Sequence, residues 1–167
     1  GTVYKVRHLE WNIDLAVKTP RQEIIDALGG VENFEEEAQT WVNLGLHPHA
    51  VSCYYVRRLD GTPRVFVEYM KGGSLHDWIY GRDSEAAKLY QGESTEVLQR
   101  ILDIAIQFAW GLHYAHETGL VHKDVKPDNV MILPNNTVKI TDFGLARSRS
   151  IVSPQTQINS SQTLMFS

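Results

Sequence analysis

The chain has 167 residues, 43% of them hydrophobic, enough for one domain with a buried core or for a domain and a fraction. Sixteen basic residues against twenty acidic ones give a net charge of −4, which excludes a general binder of nucleic acid or of an anionic membrane. No run of about eighteen apolar residues is present to span a bilayer, no charged-then-apolar leader opens the chain, and the single cysteine, Cys53, can form neither an internal disulfide nor a thiolate metal cluster.

These features predict a cytoplasmic domain in which Cys53 is a small buried residue. The elements then follow in chain order. "TVYKVRHLE" and "IDLAVKTP" are β-rich runs joined by a short polar connection, which predicts an antiparallel pair. In "NFEEEAQTWVNLGL" the apolar residues Phe34, Ala38, Trp41 and Val42 recur at helical spacing behind an acidic start, as the helix dipole prefers. "HPHA" ends that helix. "VSCYYVRRL" and "RVFVEYM" around "DGTP" read as a hairpin. "KGGS" breaks the chain, and "SLHDWIYG" is expected to form a short helix capped by Ser74. "STEVLQRILDIAIQFAWGLHYAHETG" predicts a long helix, apolar nearly all round and therefore central and buried, with Ser94 or Thr95 as its cap. "VMIL" and "TVKI" flank "PNN" as a second hairpin.

Strands with one helix, then helices with a small hairpin, give an α+β fold class with two subregions meeting near Gly72 and Gly73. Both ends read as cut. Residue 1 sits directly before a strand, and the last twenty or so residues are rich in Ser, Thr and Gln without apolar periodicity, as in a flexible loop.

The chemistry concentrates in "VHKDVKPDNV", residues 121–130, and in "TDFG" beyond the second hairpin. His122, Asp124, Lys126 and Asn129 precede the first strand of that hairpin and Asp142 follows the second. A hairpin returns the chain on itself, so Asp124, Asn129 and Asp142 are expected within several ångströms of one another. Two carboxylates and an amide oxygen are hard ligands suited to Mg²⁺, which keeps water and phosphate oxygens as its other partners. Lys126 adds a point charge for a phosphate, and Asp124 can accept a proton from an attacking hydroxyl.

"HKDVKPDN" followed by "DFG" resembles the catalytic loop and metal-binding motif of the protein kinases. The resemblance runs over essentially the whole chain, with the motifs in the family's order. It implies a bilobal fold, with a partial N-lobe of antiparallel sheet and one helix over residues 1–71, a hinge at 67–71, and a partial, mainly helical C-lobe over 72–167. Gly1 corresponds to the third glycine of the phosphate-covering loop, so truncation at both ends is expected. The resemblance assigns Asp124 as catalytic base, Lys126 as γ-phosphate contact, and Asn129 and Asp142 as Mg²⁺ ligands. "LAVK" makes Lys18 the contact to the α- and β-phosphates of ATP. Its helix partner falls within "FEEEAQ", with Glu37 favoured and Glu36 the alternative. "VFVEYMKGGSL" resembles the hinge, with Val67 as gatekeeper and the backbones of Glu68 and Met70 on adenine. Asp77 would reach the ribose, and Val3, Ala16 and Met131 would sandwich the adenine ring.

Lys126 followed by Pro127 is similar to the Ser/Thr-specific members, which implies ATP and Mg²⁺ as cofactors and a protein Ser/Thr hydroxyl as acceptor. A pseudokinase scaffold and a small-molecule phosphotransferase are the alternatives. One departure is Lys123, where the family carries Arg: a Lys keeps the charge but loses the planar fork that grips a loop phosphate. Ser148, Ser150, Ser153 and Thr156 lie near Arg147 and Arg149 as candidate phosphorylation sites. His122 is read as structural, as are His116 on the long helix and His47 and His49 about a turn. Trp41 is read as internal packing.

Overall fold

The computed structural model describes residues 2–81 and 88–143. Gly1 and the candidate phosphorylation sites at Ser148, Ser150, Ser153 and Thr156, with Arg147 and Arg149, lie outside the described residues.

Strand β1 (Thr2–His8) pairs antiparallel with β2 (Ile13–Thr19), which pairs with β4 (Thr62–Glu68), with β3 (Cys53–Leu59) at the far edge. Asp60 and Gly61 turn β3 into β4 with φ of 51° and 75°, the two left-handed residues of a tight hairpin whose twist matches the strands. Period-two alternation then separates the residues by face. Ala16 lies opposite Val67 and Lys18 opposite Val65, on the face that packs against helix α2 (Val31–Leu44) through Phe34, Ala38 and Trp41. Leu15, Val17 and Phe66 point the other way, under Val6, Ile13 and Tyr55. Cys53 is buried opposite Val67, and desolvation pushes its thiol up to about 12. A short helix, α1 (Gln22–Ala27), was not expected between β2 and α2; with one buried residue, Ile25, in six positions it offers no periodicity to detect.

The second half begins with the two-residue strand β5 (Gly73–Ser74), which pairs with β6 (Val130–Ile132), and β6 pairs with β7 (Val138–Ile140). Ser74 caps α3 (Leu75–Tyr80) as expected: its hydroxyl accepts from the Asp77 N–H while the Asp77 carboxylate accepts from the Ser74 N–H.

Two expectations for the long helix need correction. Helix α4 (Ser94–Glu117) is capped by Glu93, paired reciprocally with Glu96, and not by Ser94 or Thr95, which already lie within the helix. Gly92, at φ 100°, lets the chain enter with Glu93 extended in the cap position. Nor is α4 buried all round. Ile104, Gly111 and Ala115 are buried against the hairpin side, whereas Leu98, Ile101, Leu102, Ile106 and Trp110 are exposed, with Trp110 set edge-on to the ring of His113. No helix among the described residues is long and apolar enough to cross a membrane.

The two halves are joined by the segment between α2 and β3. Val51 N–H donates to Ile140 C=O at 2.8 Å and Ile140 N–H donates to His49 C=O at 3.0 Å, so this segment runs parallel along the free edge of β7. His49 Nδ1 lies 3.0 Å from Val138 C=O, Trp41 Nε1 donates to Val51 C=O, and Tyr114 Oη of α4 donates to Leu44 C=O at 2.7 Å. Helix α4 crosses so close that a Cβ on Gly111 would come within 2.5 Å of His49 C=O. His122 closes the assembly. It is 1% exposed; its Nδ1 accepts from the Asp124 N–H at 3.2 Å while Nε2 faces Thr141 C=O at 2.8 Å. One acceptor and one donor specify the neutral ring with the proton on Nε2.

Two outcomes follow from this packing. Gly111→Ala forces backbone apart from backbone, and urea unfolding should show a loss of about 1–3 kcal/mol; wild-type stability would contradict the close approach. Burial holds the His122 pKa below its ordinary value of 6.5, offset in part by the Thr141 carbonyl and the carboxylates of Asp142 and Asp124. A depressed folded pKa means that the unfolded chain takes up more protons, so this stabilisation is complete above about 6.5 and is lost as pH falls through the folded value. His47, also depressed by burial, adds to the same limb. The melting temperature should therefore fall on acidification below about 6.5, and His122→Gln should flatten that dependence while lowering stability at neutral pH.

Candidate functional site

The β6–β7 hairpin brings the charged residues together as expected. The turn Pro127–Asn129 leads into β6 and buries Asn129, whose Nδ2 donates inward twice, to Asp124 C=O at 2.9 Å and Asp124 Oδ2 at 3.1 Å. Lys126 Nζ donates to the same Oδ2 at 2.6 Å. Asn129 C=O accepts from the Thr141 N–H at 2.9 Å, which ties this loop to the residue before Asp142. Lys123 and Asp142 adopt φ of 66° and 64°, a left-handed conformation that costs non-glycine residues on the order of 1–3 kcal/mol each. The hydrogen bonds of His122, Asn129 and Thr141 hold both turns in place.

Across the cleft, Lys18 Nζ reaches Asp142 Oδ1 at 2.5 Å and Thr141 Oγ1 at 3.0 Å. The Glu37 carboxylate instead accepts from Lys123 Nζ at 2.6 Å. The expected Lys18–Glu37 pair is thus replaced by two crossed pairs, Lys18–Asp142 and Glu37–Lys123. The cause is local. Asp142 lies within reach of Lys18, and the left-handed turn at Lys123 presents its ammonium to α2. Of the three glutamates considered, Glu35 pairs with Arg58 of β3 at 2.8 Å and Glu36 is exposed. Glu37 is the one that faces Lys123 and its loop, one helical turn before Trp41. Trp41 is 1% exposed against Phe143, and Phe143 also lies against His122. That matches its reading as internal packing.

The expected adenine-contacting residues map onto the strands as follows. Val3 lies opposite Lys18, and Ala16 opposite Val67, all on the face of the sheet turned toward α2. Val67 is 1% exposed, Val3 is 57% exposed, and Met70 and Met131 are half-buried. Asp77 is engaged in its helix cap, where Oδ2 accepts from both the N–H and the hydroxyl of Ser74.

For a hard cation the donor set fits. Asn129 Nδ2 makes its bonds inward, so Oδ1 is the atom left for a ligand, and Asp142 supplies a carboxylate whose Oδ2 does not engage Lys18. Among the described residues no three His, Cys, Asp or Glu cluster as a preformed metal cage.

Two residues escaped sequence reading. Thr141, buried at the end of β7, accepts from Lys18, donates its N–H to Asn129 and receives His122 on its carbonyl. Its only signal was a hydroxyl beside an apolar strand. Lys139 stands between Val138 and Ile140, so the period of two alone placed it on the face opposite the core, the one that also carries Met131.

The profile of the protein kinase domain matches residues 1–165. A probable serine/threonine-protein kinase of Clostridium perfringens is 33% identical over 146 residues, covering 87% of this chain and 20% of that protein. The serine/threonine-protein kinase PknB of Mycolicibacterium smegmatis is 31% identical over 150 residues, covering 87% of this chain and 22% of its own length. The chain thus spans about a fifth of the length of these curated relatives. Among solved structures, the PknI kinase domain of Mycobacterium tuberculosis superposes with a TM-score of 0.66 at 25% identity, over 89% of this chain and 56% of that one. The α+β architecture of a four-stranded and a three-stranded sheet, the "HKDVKPDN" and "DFG" motifs, and a profile that spans nearly every residue all converge: this chain belongs to the protein kinase family.

Proposed function

We propose that this chain carries the ATP site and phosphoryl-transfer centre of a Ser/Thr protein kinase, with Mg²⁺ as cofactor and a protein Ser or Thr hydroxyl as acceptor. The observation that supports this most directly is the hydrogen-bonded set of Asp124, Lys126 and Asn129, tied through Thr141 to Asp142 and Lys18. The relatives that match over most of the chain carry Ser/Thr kinase names.

In this reading ATP lies in the cleft with adenine between Val3 and Ala16 above and Met131 below. The main chains of Glu68 and Met70 hydrogen-bond the ring edge behind Val67, and Asp77 meets the ribose. Lys18 moves from Asp142 onto the α- and β-phosphates, and Glu37 exchanges Lys123 for Lys18. Asn129 Oδ1 and Asp142 would hold Mg²⁺, which neutralises charge on the phosphates during transfer. Asp124 accepts the proton of the attacking hydroxyl as the new oxygen–phosphorus bond forms and the bond to the β-phosphate oxygen breaks, releasing ADP. Lys126, already 2.6 Å from Asp124, is placed to follow the γ-phosphate between donor and acceptor. Positioning and charge neutralisation supply most of the rate in such a centre.

The test is transfer of labelled phosphate from Mg-ATP to a Ser/Thr-rich acceptor protein by the full-length protein. Asp124→Asn should reduce kcat by about 10²–10⁴ with ATP affinity retained, as for loss of a general base. Transfer indistinguishable between wild type and this variant would leave a nucleotide-binding scaffold as the reading. Glu37→Gln should lower kcat/KM by about tenfold or more through mispositioned phosphates, while Glu36→Gln should stay within about twofold. The reverse ranking would reassign the helix partner.

A further inference from the structure

An ion pair that the phosphoryl-transfer centre does not use lies at the hinge. Lys139 Nζ donates to both carboxylate oxygens of Glu68, at 2.9 and 2.7 Å, with Lys139 15% and Glu68 26% exposed in their side chains. Glu68 ends β4, and its N–H donates to Ser52 C=O at 2.9 Å, so its backbone is fixed by the segment that docks on β7. Lys139 lies directly opposite Met131 across the β6–β7 ladder, and Met131 lies opposite Ser74, which places Lys139 beside Met131 on the face turned away from the core. The pair therefore spans from the residue that begins the hinge to the strand that floors the adenine site. Its charges are held in partial burial, where one partner cannot leave without stranding the other.

We propose that Lys139 is a positioning residue for adenine: through Glu68 it fixes the height of the hinge backbone above Met131, and so the width of the slot that takes the base. This rests on the proposed nucleotide site. Such a strut acts on the base and not on the phosphates, because Asp142, Asn129 and Lys18 are held by their own hydrogen bonds around Thr141. Lys139→Met removes the charge and keeps the chain length. Lys139→Arg keeps the pair.

Binding of adenosine and of Mg-ADP to the full-length protein by calorimetry separates the roles. Lys139→Met should weaken adenosine and Mg-ADP by the same factor, about three- to tenfold, with Lys139→Arg near wild type. Asp142→Asn should do the opposite, weakening Mg-ADP and leaving adenosine unchanged. If Lys139→Met folds poorly, the double variant Glu68→Gln/Lys139→Met leaves no unpaired charge and should show the same loss for both ligands. Wild-type adenosine affinity in Lys139→Met or in the double variant, or a loss confined to Mg-ADP, overturns the strut while leaving the nucleotide site intact. A wild-type protein that binds neither adenosine nor Mg-ADP overturns the nucleotide site itself, and the strut with it.

Discussion

The constraint on which the structure depends is the seating of the segment that follows α2 against the edge of β7. Two backbone hydrogen bonds, Val51 to Ile140 and Ile140 to His49, make a stretch from the first half of the chain an extra strand of the second. The charged cluster is tied to the end of β7. Thr141 and Asp142 continue it, His122 and Asn129 are bonded to Thr141, and Lys18 reaches down from β2 to the same two residues. The relative position of the two sheets is therefore set within one or two residues of Asp142, by main-chain bonds as well as by the connection through Gly72 and Gly73. Main-chain bonds of this kind tolerate side-chain change, which suits a junction that must hold while the chemistry on either side is tuned.

Much of this was legible in the sequence because the relevant signals are local. The hairpin on "DGTP", the cap at Ser74 and the return of β6 on β7 each depend on a few neighbouring residues, and each forms as read. Convergence of Asp124, Asn129 and Asp142 followed from the hairpin between them. What escaped reading was decided over long distances. The choice of partner for Glu37 depends on a left-handed turn at Lys123, some eighty residues away, which no periodicity records. The burial of α4 was overread because its composition is apolar all round, while among the described residues its buried positions are Ile104, Gly111 and Ala115 on one side. Helix α1 is too short to carry a period, and Glu93 took the cap from Ser94 because Gly92 fixed where the chain turns.

The charges of the cleft are arranged as alternatives. Lys18 has Asp142 and Thr141 for partners in place of Glu37, and Glu37 has Lys123. Each ammonium is satisfied without nucleotide, so none sits as an isolated charge in a half-buried site, which would be costly. In the proposed nucleotide complex the same four groups would regroup about a phosphate. A point-like ammonium at 123 suits such exchange, since it holds a carboxylate through one contact and releases it more readily than a bidentate guanidinium would.

The burial of Cys53 behind Val67 has a practical side. With its thiol pushed up to about 12, the one sulfhydryl of the chain stays protonated and shielded at neutral pH, and thiolate is the form that reacts with maleimides. A cysteine engineered on the exposed surface near Lys71 would then be the sole nucleophilic sulfur available to a fluorophore. Lobe movement could be followed optically against an otherwise native background.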